Sequence, residues 1–245
     1  MFSEKLISRL KKARSVVVLT GAGTSAESGV PTFRGKEGLW KKYRAEELAN
    51  VEAFHRNPHM VWEWYEYRRS IIQSKAPNPA HFALAQMEQY FTDFVVITQN
   101  VDGFHQAAGN RKVLEIHGNI LRSRCVECHK IYNSKPYIMK DHLPHCECGG
   151  LLRPDVVWFG EALSEDLLKQ SYEAAQSCEI FFSIGTSSIV QPAASFPVVA
   201  KNHGAYLVEI NVENTPLSSI ADEVLLGKAG EILPELVEKA GILNR

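Results

Sequence analysis

Four cysteines, Cys125, Cys128, Cys146 and Cys148, fall in two close pairs separated by seventeen residues. This spacing suits a structural zinc ribbon, in which thiolates hold a tetrahedral ion with no open position. The second pair is Cys-x-Cys, which strains the usual knuckle turn and leaves His145, His142 and His129 open as substitutes for one ligand. One zinc ion on four cysteines is the expectation. Far upstream, an apolar run ends in Gly21-Ala22-Gly23-Thr24-Ser25-Ala26, the G-x-G-x-x-A form of a dinucleotide fingerprint. Its glycines permit a tight turn and bring backbone N–H groups close to a pyrophosphate. A strand ending in an acidic residue about 20 residues further on, which would hold ribose hydroxyls in a dehydrogenase, is missing, and this argues against ordinary hydride transfer. The turn runs instead into Gly29-Val30-Pro31-Thr32-Phe33-Arg34-Gly35, a loop suited to closing over a cofactor. Between turn and cysteines lie Gln99-Asn100-Val101-Asp102 and Glu115-Ile116-His117-Gly118. They supply polar groups and a histidine whose ordinary pKa of about 6.5 leaves a useful neutral fraction for general-base work near pH 7.

The elements that must position these groups are legible as short apolar runs rich in β-branched and aromatic residues. They are Ser15–Thr20, Phe94–Thr98, Ile180–Ile184, Ala205–Ile210 and Glu223–Leu226. Continuous apolarity at this length predicts strands buried on both faces of a parallel sheet. Helical patterns alternate with them at Pro79–Tyr90, Glu165–Ser177, Ala193–Asn202 and Glu231–Ala240. The alternation predicts an α/β fold with a Rossmann-type doubly wound parallel sheet. Residues 29–75, an aromatic-rich loop followed by helices, and residues 119–153, with the cysteines, interrupt it as insertions. They predict a smaller zinc-binding domain (29–75 and 119–153) overhanging a nucleotide-binding domain (1–28, 76–118 and 154–245), with the ligand cleft between them.

At 245 residues, 45% hydrophobic and 22% charged, the chain has the composition of a globular protein with a real core. Its 27 basic and 28 acidic residues give no overall field favouring nucleic acid or an anionic membrane. No run is long enough to span a bilayer, and Met1 to Arg14 reads as a short amphipathic helix instead of a secretory segment. Clustered thiols without an export signal point to a reducing, cytoplasmic setting. Cys178, next to an apolar strand, reads as a buried structural thiol.

Taken together, the glycine turn through Arg34, Thr98-Gln99-Asn100-Val101-Asp102, His117-Gly118, the cysteines, Val156-Val157-Trp158-Phe159-Gly160-Glu161 and Gly185-Thr186-Ser187 resemble the sirtuin family of NAD-dependent protein deacylases along almost the whole chain. The resemblance implies a cleft taking NAD from one side and an acylated lysine peptide from the other. It implies that the acyl oxygen attacks the anomeric carbon of the nicotinamide ribose and nicotinamide leaves. His117 then acts as general base on a ribose hydroxyl, and the products are free lysine, nicotinamide and O-acyl-ADP-ribose. The implied cofactor set is Gly21, Ala22, Gly23, Ala26, Thr32, Phe33, Arg34, Trp40, Gln99, Asn100, Val101, Asp102, Gly185, Thr186, Ser187, Asn211, Glu213 and Ala229. In the substrate segment Val156, Trp158, Phe159, Gly160 and Glu161, the backbone is expected to pair with an extended peptide while Trp158 and Phe159 wall a tunnel for the lysine stem.

Tyr65-Glu66-Tyr67-Arg68 bears on the acyl group, since a Tyr-x-x-Arg here resembles the class that removes succinyl and malonyl groups. Residues three apart share a helix face, so the Tyr65 phenol and Arg68 guanidinium can reach one distal carboxylate. The small Ala49 leaves room for a longer chain. The reading is therefore desuccinylation and demalonylation with some deacetylation, acting on acylated lysine peptides and proteins, with no specific nucleic-acid or membrane partner. Mono-ADP-ribosyl transfer in the same cleft, a non-catalytic NAD-sensing zinc-ribbon module and hydride transfer are the alternatives.

Overall fold

The structure, a computed structural model, describes residues 2–31, 48–133 and 142–242. Helix α1 (Glu4–Lys12) leads into β1 (Ser15–Thr20) and the short α2 (Ala22–Ala26). Then come α3 (Val51–Arg56), α4 (Pro58–Gln73), α5 (Pro79–Tyr90), β2 (Asp93–Thr98), α6 (Phe104–Ala108) and β3 (Val113–Glu115). Strands β4 (Gly118–Cys125), β5 (Ile131–Tyr132) and β6 (Leu152–Val156) precede α7 (Glu165–Ser177), β7 (Ile180–Ile184), α8 (Phe196–Asn202), β8 (Tyr206–Asn211), β9 (Glu223–Leu226) and α9 (Ala229–Ala240).

The main sheet runs β3-β2-β1-β7-β8-β9, and every pairing in it is parallel. The strand order reverses direction at β1, where a doubly wound sheet opens its ligand crevice. Both faces are covered, which is why the strands read as unbroken apolar runs. Along β1, Val16 and Val18 pack with Leu6, Leu84 and Leu233, whereas Val17 and Leu19 pack with Phe181, Phe196 and Leu207. The two-residue period of a strand thus feeds two separate cores.

Strands β5-β4-β6 form a second, antiparallel sheet beneath α3 and α4, with Phe54, Trp62, Trp64, Tyr65, Ile120, Leu152 and Trp158 in its core. The expected boundaries at 118/119 and 153/154 fall inside β4 and β6. These three strands, and the short β3, went unread in the sequence, while the expected helix at 193–202 begins as a single 3-10 turn at Ala193–Ser195 before α8. Asn50 and Asn57 cap α3 and α4, each accepting a backbone N–H, and Pro58 opens α4 where no amide donor is needed. The β4–β6 register shifts between Asn119 and Ser123. Arg69, fully buried on α4, fills that irregularity: it donates to the carbonyls of Ile120 and Arg122 and to Ser123 Oγ, and pairs with Glu66 at 2.6 Å. Among the described residues no helix is long and apolar enough to cross a membrane.

Candidate active site

The sequence-selected cofactor residues that the structure describes follow the carboxyl ends of parallel strands, apart from those on α2 and Ala229 at the start of α9. Gly21 follows β1, Gln99 to Asp102 follow β2, His117 follows β3, Gly185 to Ser187 follow β7, and Asn211 ends β8 with Glu213 exposed beyond it. A chain of hydrogen bonds joins four of these strand tips. His117 Nδ1 lies 3.0 Å from Gln99 O, Gln99 Nε2 donates to Thr186 Oγ1 at 2.9 Å, and Asn211 Nδ2 donates to Thr186 O at 2.9 Å. Since a carbonyl only accepts, the neutral imidazole must carry its proton on Nδ1, which leaves Nε2 as the basic atom. Burial holds the His117 pKa below the ordinary histidine value, offset in part by this hydrogen bond, so the ring is neutral at pH 7.

The turn that carries His117 is braced by charge. Glu115 accepts from Gln106 Nε2 at 2.8 Å and Asn119 Nδ2 at 2.7 Å, and pairs with Arg122 at 2.7 Å; Arg122 also reaches Asp155 at 2.9 Å. Gly118, at φ +82°, sits where a Cβ would lie 2.2 Å from Asp155 O, so no other residue lets β4 leave the histidine so tightly.

The glycine turn has a different physical reason from the one read in the sequence. Gly21 N and Gly23 N donate to Ile184 O and Gly185 O, and a Cβ at either glycine would come within 2.8 Å of Gly185 or Thr186. The close approach demanding glycine is therefore to the turn after β7, and those two amides are already engaged. Asn100 and Asp102 are also partly engaged. Asn100 Nδ2 donates to Gly21 O at 3.0 Å and Ser25 Oγ at 3.1 Å; Asp102 accepts from Ser25 Oγ at 2.8 Å and from the Phe104 amide at 2.9 Å. Burial raises the Asp102 pKa, opposed by the hydrogen bonds from Phe104 and Ser25. Val101 O accepts from Ile120 N, tying the same loop to β4, and Ala22 and Ala26 bound α2. Thr32, Phe33, Arg34 and Trp40 lie outside the described residues.

Behind this layer is a buried polar cluster that sequence reasoning missed. The Asn78 amide donates to His81 Nδ1 in a capping box, so His81 presents Nε2–H toward Ser25 Oγ at 3.5 Å. His105, with its ring centroid 4.9 Å from that of His81, meets Thr20 Oγ1 at 2.9 Å, and Thr20 donates to Thr98 Oγ1. Asn78-Pro79, a helix-start signal, was the only local clue to His81.

The segment that the sequence selects for substrate lies beyond His117, where Val157 N donates to His117 O. Val156 closes β6; Trp158 is 2% exposed and Phe159 is 56% exposed; Gly160 has φ +85°. The Phe159 amide donates to Ala49 O, the Trp158 amide to Glu161 Oε2 and the Glu161 amide to Trp158 O. Tyr65 lies in the core of the smaller lobe, where its hydroxyl accepts from Trp158 Nε1 at 2.9 Å. The Arg68 guanidinium lies 4.8 Å from the Trp64 ring centroid and 5.5 Å from that of Tyr65. The sequence-selected Tyr65, Arg68, Ala49 and Trp158 are thus brought together.

The thiols of Cys125, Cys128, Cys146 and Cys148 all lie within 4.8 Å of one another, with neighbouring Sγ pairs at 3.5 Å. That exceeds a disulfide bond of about 2.05 Å and matches the edge of a zinc tetrathiolate tetrahedron. Among the described residues no histidine joins the group; His145 Nδ1 is turned to Leu143 O. The Cys-x-Cys pair is accommodated by backbone bonds from Cys146 N to Gly150 O and from Gly149 N to Cys146 O, with Gly149 at φ +89°. These residues fit one zinc ion as a fold-stabilising tie with no open position. The strand tips likewise fit a dinucleotide. They gather amide and hydroxyl groups suited to phosphate and ribose, and Ser188 Oγ is buried beside them without a partner among the described residues. Cys178 is buried on Ala175 O, and burial pushes its thiol up to about 12, the state of an inert structural cysteine.

A parallel sheet with its polar groups at the switch point, a histidine with a free basic nitrogen and a closed thiolate cluster define an NAD-using enzyme with a structural zinc ribbon. The Sir2 family model matches residues 21–192. The NAD-dependent protein deacylase of Thermococcus kodakarensis is 50% identical over 237 residues, covering 94% of this chain and 92% of its own, and that of Aquifex aeolicus is 51% identical over 225 residues, covering 91% and 94%. A Sir2 homologue–NAD complex superposes with a TM-score of 0.92 at 46% identity, covering 98% of this chain and 94% of that one. A Sir2–p53 peptide–NAD+ complex gives 0.88 at 32% identity, covering 99% and 100%. The chain belongs to the Sir2 family.

Proposed function

We propose that this enzyme is an NAD-dependent protein-lysine deacylase that prefers acidic acyl groups, succinyl and malonyl, and retains deacetylase activity. The single observation that carries the catalytic reading is the Nδ1 hydrogen bond of His117 to Gln99 O, which fixes the tautomer and leaves Nε2 to take a proton. NAD supplies the electrophilic anomeric carbon and the ribose hydroxyls that accept the acyl group, and one water is consumed as the amine is expelled, so nicotinamide and O-acyl-ADP-ribose leave with the free lysine. The groups of 185–187 and Asn211 hold the adenosine half, with Glu213 and Ala229 beside it. Gln99 to Asp102 shape the nicotinamide end, and Thr32, Phe33, Arg34 and Trp40 complete the cofactor contacts. Residues 29–75 and 119–153 act as the smaller lobe.

The acylated lysine peptide lies along residues 156–161. Val157, Trp158, Phe159 and Glu161 already donate their amides within the protein, so the peptide is held mainly through carbonyls and the Gly160 amide. The relatives named deacylases and the solved complex with a p53 peptide support this reading. Support for the acidic acyl group comes from the buried Tyr65, which meets Trp158 beside Ala49, and from the half-buried Arg68, whose guanidinium lies 5.5 Å from the Tyr65 ring centroid. A guanidinium removed from water binds a carboxylate more strongly than an exposed one does. Arg68→Met is expected to lower kcat/KM for a succinyl-lysine peptide by about tenfold to a hundredfold and to spare the acetyl-lysine peptide. Equal losses on the two peptides would make Arg68 structural.

A further inference from the structure

Arg153 is a buried cation outside the cofactor and peptide contacts described above. Its guanidinium pairs through both terminal nitrogens with the Glu161 carboxylate, Nη2 to Oε2 at 2.9 Å, and donates to Val156 O at 2.9 Å. Its carbon lies 3.3 Å from the Trp158 ring centroid, a close cation–π stack. The same Glu161 carboxylate accepts the Trp158 amide at 2.8 Å and meets Arg124 at 3.4 Å. Trp158 is therefore held at its backbone by Glu161 and on its ring by Arg153, while Phe54 packs against the ring at 5.2 Å. The remaining polar atom of the residue, indole Nε1, donates to the Tyr65 hydroxyl.

We propose that Arg153 is a positioning residue for acyl-group selection: by fixing Trp158 it holds the indole N–H on the Tyr65 oxygen and so directs the Tyr65 phenolic proton to the distal carboxylate of an acidic acyl chain. The inference rests on the acyl preference proposed above. Indole is a donor only, so Trp158 cannot accept the Tyr65 proton and places its own on the phenol oxygen; the Arg68 guanidinium, 5.5 Å from the Tyr65 ring centroid, is likewise no acceptor. The phenol is thereby left as a donor beside a guanidinium, the pair that a carboxylate requires and an acetyl group does not use. A lysine at 153 keeps the charge but loses the planar fork that pairs with Glu161 and lies flat on the indole. Its loss would let the indole turn and the phenol reorient without removing any group that meets the acyl chain.

The test uses the full-length, zinc-loaded protein and measures kcat/KM for otherwise identical succinyl-lysine and acetyl-lysine peptides in wild type, Arg153→Lys, Tyr65→Phe and the double variant. The succinyl-to-acetyl ratio is expected to fall about tenfold in Arg153→Lys, through KM more than kcat, and to fall no further when Arg153→Lys is added to Tyr65→Phe. An unchanged ratio, or additive losses in the double variant, would overturn the proposal. A wild type that turns over only the acetyl peptide would overturn the acyl preference itself, and the inference with it. If Arg153→Lys does not retain one zinc per chain, Trp158→Phe decides, because it removes the indole donor and keeps a ring. A matching fall in the ratio upholds the proposal, and an unchanged ratio sinks it.

Discussion

His117 could be singled out in the sequence because its type and its neighbours implied chemistry, but the atom that acts could not. The Nδ1 contact with Gln99 O joins residues 18 positions apart and needs β2 and β3 side by side. His117→Ala is expected to lower turnover by about 10²- to 10⁴-fold, with zinc content and melting temperature unchanged; full turnover would remove it from the mechanism. The sign of its pH dependence follows from burial. The neutral base exists above its pKa, that pKa lies below the ordinary histidine value, and activity is lost as pH falls through it. The acid limb of kcat/KM should therefore have its midpoint below about pH 6.5, and a midpoint above that value would contradict the buried, neutral ring. His81 and Arg153, and the hydrogen-bonding role of Ser25, escaped sequence reading for a related reason. A buried polar residue is identified by its partner, and their partners lie in other elements.

At the scale of elements, the strands buried on both faces were legible because continuous apolar runs have few other uses. Strands β4 and β6 were not, since Gly118–Cys125 carries Asn119, Arg122, Ser123 and Arg124, and Leu152–Val156 carries Arg153, Pro154 and Asp155. Their charges are matched across the pair and to neighbouring elements, by Arg122 with Asp155 and Glu115 and by Arg124 with Glu161. Local pattern cannot register such compensation. Arg69 shows the same point energetically, because α4 holds the carbonyls left over by the β4 irregularity. Arg69→Met should cost about 2–4 kcal/mol by leaving buried acceptors unpaired, measured as a lower midpoint in urea with an unchanged slope. A change under about 0.5 kcal/mol would place Arg69 with ordinary surface residues. The zinc ribbon was legible from cysteine spacing, but its solution to the Cys-x-Cys strain, the Gly149-Gly150 turn, required the backbone.

Across the whole molecule, the second sheet joins the main one beyond β2 and β3, where Ile120 N donates to Val101 O and Val157 N to His117 O, and the polar layer behind these strand tips is itself buried. His81 and His105 are held down to about 4 and about 3 by burial, His105 also by its neighbour. Their folded pKa values lie below the unfolded value of about 6.5, so the unfolded chain binds more protons in between. The stability they contribute is complete above about pH 6.5 and is lost as pH falls toward 4 and then 3, by roughly 1.4 kcal/mol per unit for each group. Unfolding free energy should fall steadily below pH 6.5, and His81→Gln should flatten that fall; an unchanged pH slope in the variant would show that His81 is not the buried neutral group. The doubly wound parallel sheet was foreseeable from the alternation of elements; its strand order was not. That the glycine turn is packed by its neighbouring strand, and that most amides of 157–161 are internally bonded, emerged only from the assembled fold. The most direct test of the central claim is to follow deacylated peptide, nicotinamide and acyl-ADP-ribose together by mass spectrometry, in one reaction of the protein with NAD and a succinyl-lysine peptide. Equal accumulation of all three, abolished in His117→Ala, is the predicted result; nicotinamide release with ADP-ribose on protein and no deacylated peptide would contradict it.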